Sequence, residues 1–255
     1  MAIARKTKKK KVTKRPSAKQ VAKTPGAARK TTAWEKTAGD SSIKFYRRIG
    51  SKGWRQSDYF TYSSSSPAFR LWLARELGTR PARILSIGCG NGELEGSLAA
   101  YGHRLFGMDL SHPMLLRAAR NGVDFPIEGD ARYLPFAPAS FDVVIYPESI
   151  GHLVLAEAFA EARRVLRPRG RVIVTTYASH MGAHPRFKRY RFDQMEEALT
   201  NTGFDVDEQR FLAAKRNSIA DADSDAKSTL LYVKARAAAA KRPVAKSKLT
   251  KNKRA

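Results

Sequence analysis

The sequence predicts an α/β fold in which helices cover both faces of a mostly parallel sheet. Three observations lead to this prediction: short apolar runs alternate with amphipathic stretches after residue 80, a glycine-rich turn follows the first run, and the last two runs follow each other without a helix. Alternating strands and helices indicate βαβ units, and two successive strands indicate an antiparallel C-terminal edge strand.

A helix opens the first predicted unit. Ser66 is a suitable N-cap, Pro67 fits the first turn, and Gly78 ends the apolar stripe. Beyond it, apolar runs predict strands, and apolar residues three to four apart predict helices. We therefore place an N-terminal helical cap at 43–80 and the main domain at 81–234. The predicted elements are, in order, a strand at 83–87, a helix at 93–101, a strand at 104–108, a helix at 112–121, a strand at 141–146, a helix at 156–166, a strand at 171–177, a helix at 193–202, and strands at 204–211 and 229–234.

Length and composition limit the class of protein. With 255 residues, of which 42% are hydrophobic, the chain can bury one core. Cys89 is the only cysteine, so no intrachain disulfide forms and a reducing compartment such as the cytoplasm is expected. No apolar run approaches the roughly 18 residues of a membrane span, and the N-terminus lacks the apolar segment of a secretory signal. We expect no membrane contact.

Basic charge is concentrated at both ends of the chain. The net charge is +25; residues 1–30 carry twelve Lys and Arg side chains without an acidic one, and residues 234–255 carry nine. Because these segments have few large apolar side chains, we predict disordered basic tails at 1–42 and 235–255. They resemble the Lys/Ala-rich tails of histone-like proteins and predict salt-sensitive contact with nucleic acid, hence a nucleoid-associated or, in a eukaryote, nuclear location. A solubilising role without a partner is the alternative.

The stretch from Ile84 to Gly96 carries the clearest ligand-binding pattern. Gly88, Gly90 and Gly92 follow a strand and open a helix, where glycine lets main-chain amides approach a ligand closely. Residue 93 is glutamate, whereas a dinucleotide fingerprint requires glycine or alanine there, and the Gly-Lys-Ser/Thr ending of a P-loop is absent. The pattern predicts a binding loop for a ligand other than NAD, FAD or a nucleoside triphosphate.

Two carboxylates follow the next strands. Asp109 ends the second predicted strand, where a carboxylate can accept both hydrogen bonds of a ribose diol. Asp130 follows a further strand, which is not among the ranges given above, and can accept a hydrogen bond from an adenine amine while the Ala131 amide donates to the ring. Together they predict an adenosine ligand without phosphates.

Four motifs occur in a characteristic order: ILSIGCGNGELE, GMDLSHPML, EGDARYLPFAPASFDVVI and EARRVLRPRGRVIVTTY. In sequence and spacing they resemble those of class I S-adenosylmethionine-dependent methyltransferases of the broad type 11 group. The resemblance covers residues 66–234 and excludes both tails. It implies a Rossmann-like sheet of seven strands, S-adenosyl-L-methionine as the cofactor, and methyl transfer as the activity.

The resemblance also implies roles for individual residues. The glycines lie against the methionine part of the cofactor, the aspartates hold its ribose and adenine, and Tyr146 lies beside the donor methyl group. Ser86 is a departure, because many members carry an acidic residue there to help hold the cofactor amino group; its hydroxyl, a water or Glu93 then takes that part. The implied cofactor contacts are Ser86, Gly88, Gly90, Gly92, Asp109, Leu110, Asp130, Ala131 and Tyr146.

A general base is needed only where the acceptor is protonated. His152, in YPESIGHLV, is similar in position to a histidine that faces the acceptor in small-molecule O- and C-methyltransferases. It is the first candidate for the base, with a structural hydrogen-bonding role as the alternative. Glu148, His180 and His184 are further candidates, unless Glu148 shapes a polar pocket. The two histidines at 180 and 184 lack a nearby Cys or acidic partner, so we predict no metal site.

The acceptor is predicted only by class. We expect a small molecule methylated at oxygen or carbon. YPES at 146–149 differs from the Asn/Asp-Pro-Pro-Tyr/Phe signature for methylating a base amine. RNA, DNA or protein acceptors recruited by the tails stay as alternatives, as does a nucleic-acid-binding protein with an inactive fold. Four aromatic residues form either a lid over the acceptor or part of the core; they are Tyr59, Phe60, Tyr62 and Phe69.

Overall fold

A computed structural model describes residues 22–23, 44, 48, 66–179, 187–215 and 217–239, so the predicted tails lie largely outside it. Its helices are α1 (Pro67–Leu77), α2 (Glu93–Ala99), α3 (His112–Asn121), α4 (Leu155–Val165) and α5 (Phe192–Asn201). Its strands are β1 (Arg83–Ile87), β2 (Arg104–Asp109), β3 (Phe125–Glu128), β4 (Phe141–Pro147), β5 (Leu166–Tyr177), β6 (Phe204–Ala214), β7 (Ile219–Ala222) and β8 (Leu230–Ala237). Short 3-10 turns lie at Ile150–His152 and Asp225–Lys227.

One mostly parallel sheet organises these elements, as the sequence predicted. The strand order is β3-β2-β1-β4-β5-β8-β6-β7, and Ala22–Lys23 pairs with β3. The strands from β1 to β5 are parallel to one another. The order reverses between β1 and β4, where Ile84 pairs with Val143 and Ser86 pairs with Ile145. The carboxyl ends of these two strands therefore meet at a topological switch point, which is where ligands bind in such sheets.

The C-terminal part of the sheet corrects one prediction. β8 is antiparallel to both β5 and β6, so it lies inside the sheet and not at its edge. Leu230 and Tyr232 are 0% exposed and Leu231 and Val233 at most 2%, because both faces of β8 are covered. The edge is instead β7, an unpredicted short strand that pairs with β6. Its sequence, IADA, offers no apolar alternation that would mark a strand.

Apolar layers fill the space on each face of the sheet. On one face, α1 contributes Phe69 and α2 contributes Leu98 to one cluster. On the other face, α4 contributes Phe159 and α5 contributes Leu199 to a second cluster. Phe69 is 0% exposed, so it belongs to the core and not to a lid. The predicted layers of helices on both faces are confirmed.

The caps of α1 agree with the sequence prediction, whereas the end of β8 differs from it. The Ser66 hydroxyl accepts a hydrogen bond from the Phe69 amide at 3.1 Å, and Gly78, with a φ of 78°, ends the helix. At the other end, β8 continues to Ala237, which is 1% exposed, so the domain extends beyond the predicted boundary at 234. None of the helices in the described ranges has the length and apolar character needed to cross a membrane.

Candidate active site

The glycine loop between β1 and α2 lies at the switch point. Gly88, Gly90 and Gly92 have φ values of 73°, 53° and 74°, in the left-handed region that favours glycine. A Cβ on Gly88 would overlap the side chain of Ser149, whereas a Cβ on Gly90 would meet nothing within 4 Å. Ser149 follows β4, and its hydroxyl donates to the Ile87 carbonyl, so the two strand ends are in contact. The loop thus packs on β4 at Gly88 and is open at Gly90.

Asp109, at the end of β2, holds this loop in place. Its Oδ2 accepts a hydrogen bond from the Gly90 amide at 2.9 Å, and its Oδ1 accepts one from the Ser111 amide at 2.8 Å. Burial raises the pKa of this carboxyl, and the amide hydrogen bonds oppose that shift. Because an ionised carboxylate has about four acceptor positions, Asp109 can accept a further hydrogen bond from a ribose hydroxyl beside these amides. These contacts fit the predicted adenosine ligand.

Asp130 lies beside Asp109, because the amide of the residue before it donates to the Asp109 carbonyl at 3.1 Å. The Arg132 amide donates to Asp130 at 3.0 Å, and the Arg132 guanidinium at 2.5 to 3.0 Å. An adenine amine would therefore share this carboxylate with Arg132. Leu110, which is 37% exposed, and the half-buried Ala131 adjoin the two aspartates in sequence.

Glu95, in α2, is a site residue that the sequence did not indicate. Its side chain is enclosed, and its Oε1 accepts a hydrogen bond from the Ser86 hydroxyl at 2.5 Å. Glu93, the expected substitute for an acid at 86, instead lies 3.6 Å from Arg70 and accepts a hydrogen bond from Asn91 at 2.9 Å. Acidic residues are common in the first turn of any helix, so nothing in the sequence separates Glu95 from Glu93.

Tyr146 does not line the crevice with its side chain, which corrects the prediction. Its hydroxyl donates to the Ala158 carbonyl at 2.8 Å, its ring contacts Phe159, and the residue is 1% exposed. Side chains alternate between the two faces of a strand, and that of Tyr146 points into the core beneath α4. Only its main chain lies near the strand end.

Glu148 follows β4 in a strained conformation. Its φ is 60°, which is uncommon for a residue other than glycine and is often found at functional sites. Its amide donates to the Thr175 carbonyl at 2.9 Å, and Tyr177, at the end of β5, donates its hydroxyl hydrogen to the Glu148 carboxylate. The Glu148 carboxylate is therefore held at the carboxyl ends of β4 and β5.

His152 ends the 3-10 turn after β4. Its amide donates to the Ser149 carbonyl at 3.0 Å, and its ring lies 5.8 Å from the ring of Phe187. Within the described ranges, no three His, Cys, Asp or Glu side chains are grouped so as to hold a metal ion. The predicted site residues outside those ranges are Tyr59, Phe60, Tyr62, His180 and His184.

Relatives of known name share this sequence region. Residues 85–174 match the family described as a methyltransferase domain. The ubiquinone biosynthesis O-methyltransferase of Aromatoleum aromaticum is 28% identical over 163 residues, which are 61% of this chain and 67% of that protein. The demethylmenaquinone methyltransferase of Beutenbergia cavernae is 34% identical over 116 residues, 43% of this chain and 48% of that protein. The chain thus spans about two thirds of the first relative and about half of the second.

Solved structures share the fold. The Burkholderia thailandensis 1,6-didemethyltoxoflavin-N1-methyltransferase, with 1,6-didemethyltoxoflavin and S-adenosylhomocysteine bound, has a TM-score of 0.61 at 20% identity, covering 84% of this chain and 94% of that chain. An S-adenosylmethionine-dependent methyltransferase from Mesorhizobium loti has a TM-score of 0.54 at 19% identity, covering 67% and 98%. Residues 85–174 therefore carry a methyltransferase domain, in a fold shared with these S-adenosylmethionine-dependent methyltransferases.

Proposed function

We propose that this domain transfers a methyl group from S-adenosylmethionine to a small-molecule acceptor, at an oxygen or a carbon atom. The main support is Asp109, which joins the glycine loop to the next strand end beside Asp130 and so suits an adenosine ligand without phosphates. The names of the two relatives refer to ubiquinone biosynthesis and to demethylmenaquinone, and the Burkholderia enzyme was solved with 1,6-didemethyltoxoflavin. These names favour a small acceptor.

The residues at the cofactor end of the crevice serve mainly to position the cofactor. When bound, S-adenosylmethionine supplies a methyl group on a positively charged sulfur, which needs no further activation. Asp109 would accept hydrogen bonds from the sugar, and Asp130, which accepts from Arg132, would also accept one from the adenine amine. The bare main chain at Gly90 allows close approach. Holding the reacting groups in line is worth up to ~7–11 kcal/mol of the barrier.

The acceptor end lies where β4 and β5 finish. The rings of Tyr177 and His152 lie 5.6 Å and 5.8 Å from the ring of Phe187, and Tyr177 also holds the Glu148 carboxylate. Aromatic surfaces beside a carboxylate suit a planar acceptor with an acidic O–H or C–H group. His152 is our first candidate for the base that takes this proton, and Glu148 is the second.

Calorimetry with S-adenosylmethionine and S-adenosylhomocysteine tests the cofactor site. We expect wild-type protein to bind both, and Asp109→Ala to weaken both by at least about tenfold, because it removes charge-assisted hydrogen bonds to the ribose and frees the Gly90 amide. Asp223→Ala is the control, since Asp223 pairs with Lys227 on the surface. Equal affinity in wild-type and Asp109→Ala proteins would refute the ribose assignment.

A screen of phenolic and carbonyl acceptors with labelled methyl donor tests the reaction. Once an acceptor is found, we expect His152→Asn to lower kcat by roughly 10²- to 10⁴-fold with little change in cofactor affinity, because a general base acts mainly on the chemical step. Glu148→Gln is compared in the same assay. A His152→Asn enzyme with the wild-type kcat beside an inactive Glu148→Gln enzyme would move the base to Glu148.

A nucleic acid acceptor is the second candidate. It is favoured by the unopposed basic residues in 1–30 and 234–255, which would bring the domain to RNA or DNA through phosphate contacts. The same tails would serve a nucleic-acid-binding protein whose fold has lost catalysis. In the acceptor screen, labelled RNA or DNA with unlabelled small molecules would favour this candidate over the first.

A further inference from the structure

Glu95 is the only carboxylate among the described residues that is almost fully enclosed, at 1% exposure. Its side chain reaches from α2 to β1, where the Ser86 hydroxyl donates to it at 2.5 Å. Ser86 is itself 0% exposed and lies between two neighbouring strands, opposite Gly107 and Ile145. Because Ser86 comes two residues before Gly88, the carboxylate lies directly behind the start of the glycine loop.

Groups from three other elements face this carboxylate. Asp109 of β2 has the same charge as Glu95, and Arg70 of α1 has the opposite charge. The third group is the Cys89 thiol of the glycine loop. Burial is the strongest influence and raises the pKa of Glu95 to about 7; the hydrogen bond from Ser86 lowers it and Asp109 raises it further. Burial, and then the charge of Glu95, raise the pKa of Cys89 well above its usual value.

Such a carboxylate is poorly stabilised in its ionised form, because few dipoles replace the water that it has lost. A cation bound at the glycine loop would offset this cost. S-adenosylmethionine carries an ammonium group on its methionine part, and the resemblance places an acid at 86 to help hold it. In this protein β1 carries Ser86 at that position, and the carboxylate of Glu95, nine residues later in α2, contacts the Ser86 hydroxyl.

We propose that Glu95 is a positioning residue for the cofactor: acting through Ser86, it supplies the negative charge that holds the ammonium group against the turn from Gly88 to Gly90. This inference rests on the proposed use of S-adenosylmethionine. Glu93 does not take this part, because its side chain is directed to Arg70 and Asn91. Since only the ionised form of Glu95 attracts a cation, recognition of the amino-acid part strengthens as pH rises through neutrality.

Two ligands that differ only in the amino-acid part separate this role from a general effect on the pocket. S-adenosylhomocysteine carries the ammonium group, and 5′-methylthioadenosine lacks the whole amino-acid part. By calorimetry between pH 6 and pH 8, we expect wild-type protein to bind S-adenosylhomocysteine more tightly as pH rises and 5′-methylthioadenosine almost equally throughout. Glu95→Gln should weaken S-adenosylhomocysteine about tenfold at pH 8, abolish the pH dependence, and spare 5′-methylthioadenosine.

Two further variants complete the test. Glu93→Gln is the matched control on the same helix turn and should behave as wild type. Ser86→Glu combined with Glu95→Ala returns the acid to the strand and should restore the preference for S-adenosylhomocysteine. Glu95→Gln should unfold at the same or a higher temperature than wild type at pH 8, because it removes an enclosed charge, so lost binding would not reflect misfolding.

The outcomes distinguish this inference from the proposed function. If Glu95→Gln weakens both ligands equally, or leaves the affinity and pH profile of S-adenosylhomocysteine unchanged, Glu95 is structural only and the inference fails while the cofactor assignment stands. If wild-type protein binds neither ligand at any pH, the proposed function fails as well.

Discussion

At the scale of single residues, Gly88 couples the two halves of the sheet. Its φ is 73°, and the side chain of Ser149 leaves no room for a Cβ at this position. Ser149 is the neighbour of Glu148 and donates to the Ile87 carbonyl, so any displacement at Gly88 moves the acceptor end of the crevice. The glycine is therefore required for packing between strands as well as for its backbone conformation.

Gly88→Ala and Gly78→Ala form a matched pair that separates these two requirements. Both residues have a left-handed φ, of 73° and 78°, but a Cβ on Gly78 meets nothing within 4 Å. We expect Gly78→Ala to lower the unfolding free energy by roughly 1–3 kcal/mol from backbone strain, because its φ of 78° and ψ of −176° suit only glycine. Gly88→Ala should add roughly 1–3 kcal/mol from overlap. Urea unfolding measures both.

The same pair has different consequences for ligand binding. Gly88→Ala should weaken S-adenosylhomocysteine in calorimetry, because Ser149 and the loop must shift, whereas Gly78→Ala should not, because Gly78 only ends α1. Equal stability loss in both variants, with unchanged binding, would mean that the contact between Gly88 and Ser149 is easily relaxed.

The site residues show which signals a sequence contains. Asp109 was predicted as a ribose ligand because its position after a strand is fixed by chain order; its contact with the glycine loop was not predicted. The side-chain direction of Tyr146 was not predictable, since it depends on which face α4 covers. Glu95 was missed because its burial depends on how α2 packs on β1, and a helix turn of charged residues does not reveal which one points inward.

At the scale of elements, local sequence signals were sufficient to predict that a helix or strand exists. They were not sufficient to predict the order of the strands across the sheet. The helix α1 was predicted from Ser66, Pro67 and Gly78, which act within a few residues of one another. β8 was predicted as a strand but placed at the edge, because two successive strands suggest a simple hairpin. Its run of buried residues is instead typical of an interior strand, which takes a partner far along the chain.

At the scale of the whole molecule, charge separates the ends from the centre. The net charge of +25 is carried mainly by residues 1–30 and 234–255, whereas Asp109 and Asp130 lie at the crevice and Glu95 is enclosed behind it. A basic protein with an acidic cofactor site can attract a polyanion and a cationic cofactor at separate places. The tails and the site are therefore expected to act independently.

Deleting residues 1–33 and 240–255 tests this independence. The first deletion also removes Ala22–Lys23, which pair with the edge of the sheet at β3. The second begins after β8, because Ala235 and Ala237 are buried in the sheet and a cut at 235 would damage the fold. We expect the shortened protein to keep wild-type affinity for S-adenosylhomocysteine and to lose affinity for duplex DNA and RNA in mobility-shift assays, because it lacks the phosphate-binding charge. Binding of the full chain should weaken steeply as salt increases.

Two results would contradict the predicted role of the tails. One is a full-length protein that binds neither nucleic acid at ~150 mM salt. The other is a shortened protein that binds them as well as the full chain, which would place the contact on the methyltransferase domain itself.

The interior position of β8 also sets the order in which the sheet can be completed. During synthesis, β6 leaves the ribosome before the strand that joins it to β5, so both strands keep an unpaired edge until residues 230–237 follow. The parallel half from β3 to β5 can assemble in the meantime and β6 can pair with β7, but the two parts join only when β8 inserts between them. A nascent chain halted before that step exposes two open edges, which makes it a candidate for chaperone binding or for strand pairing between chains.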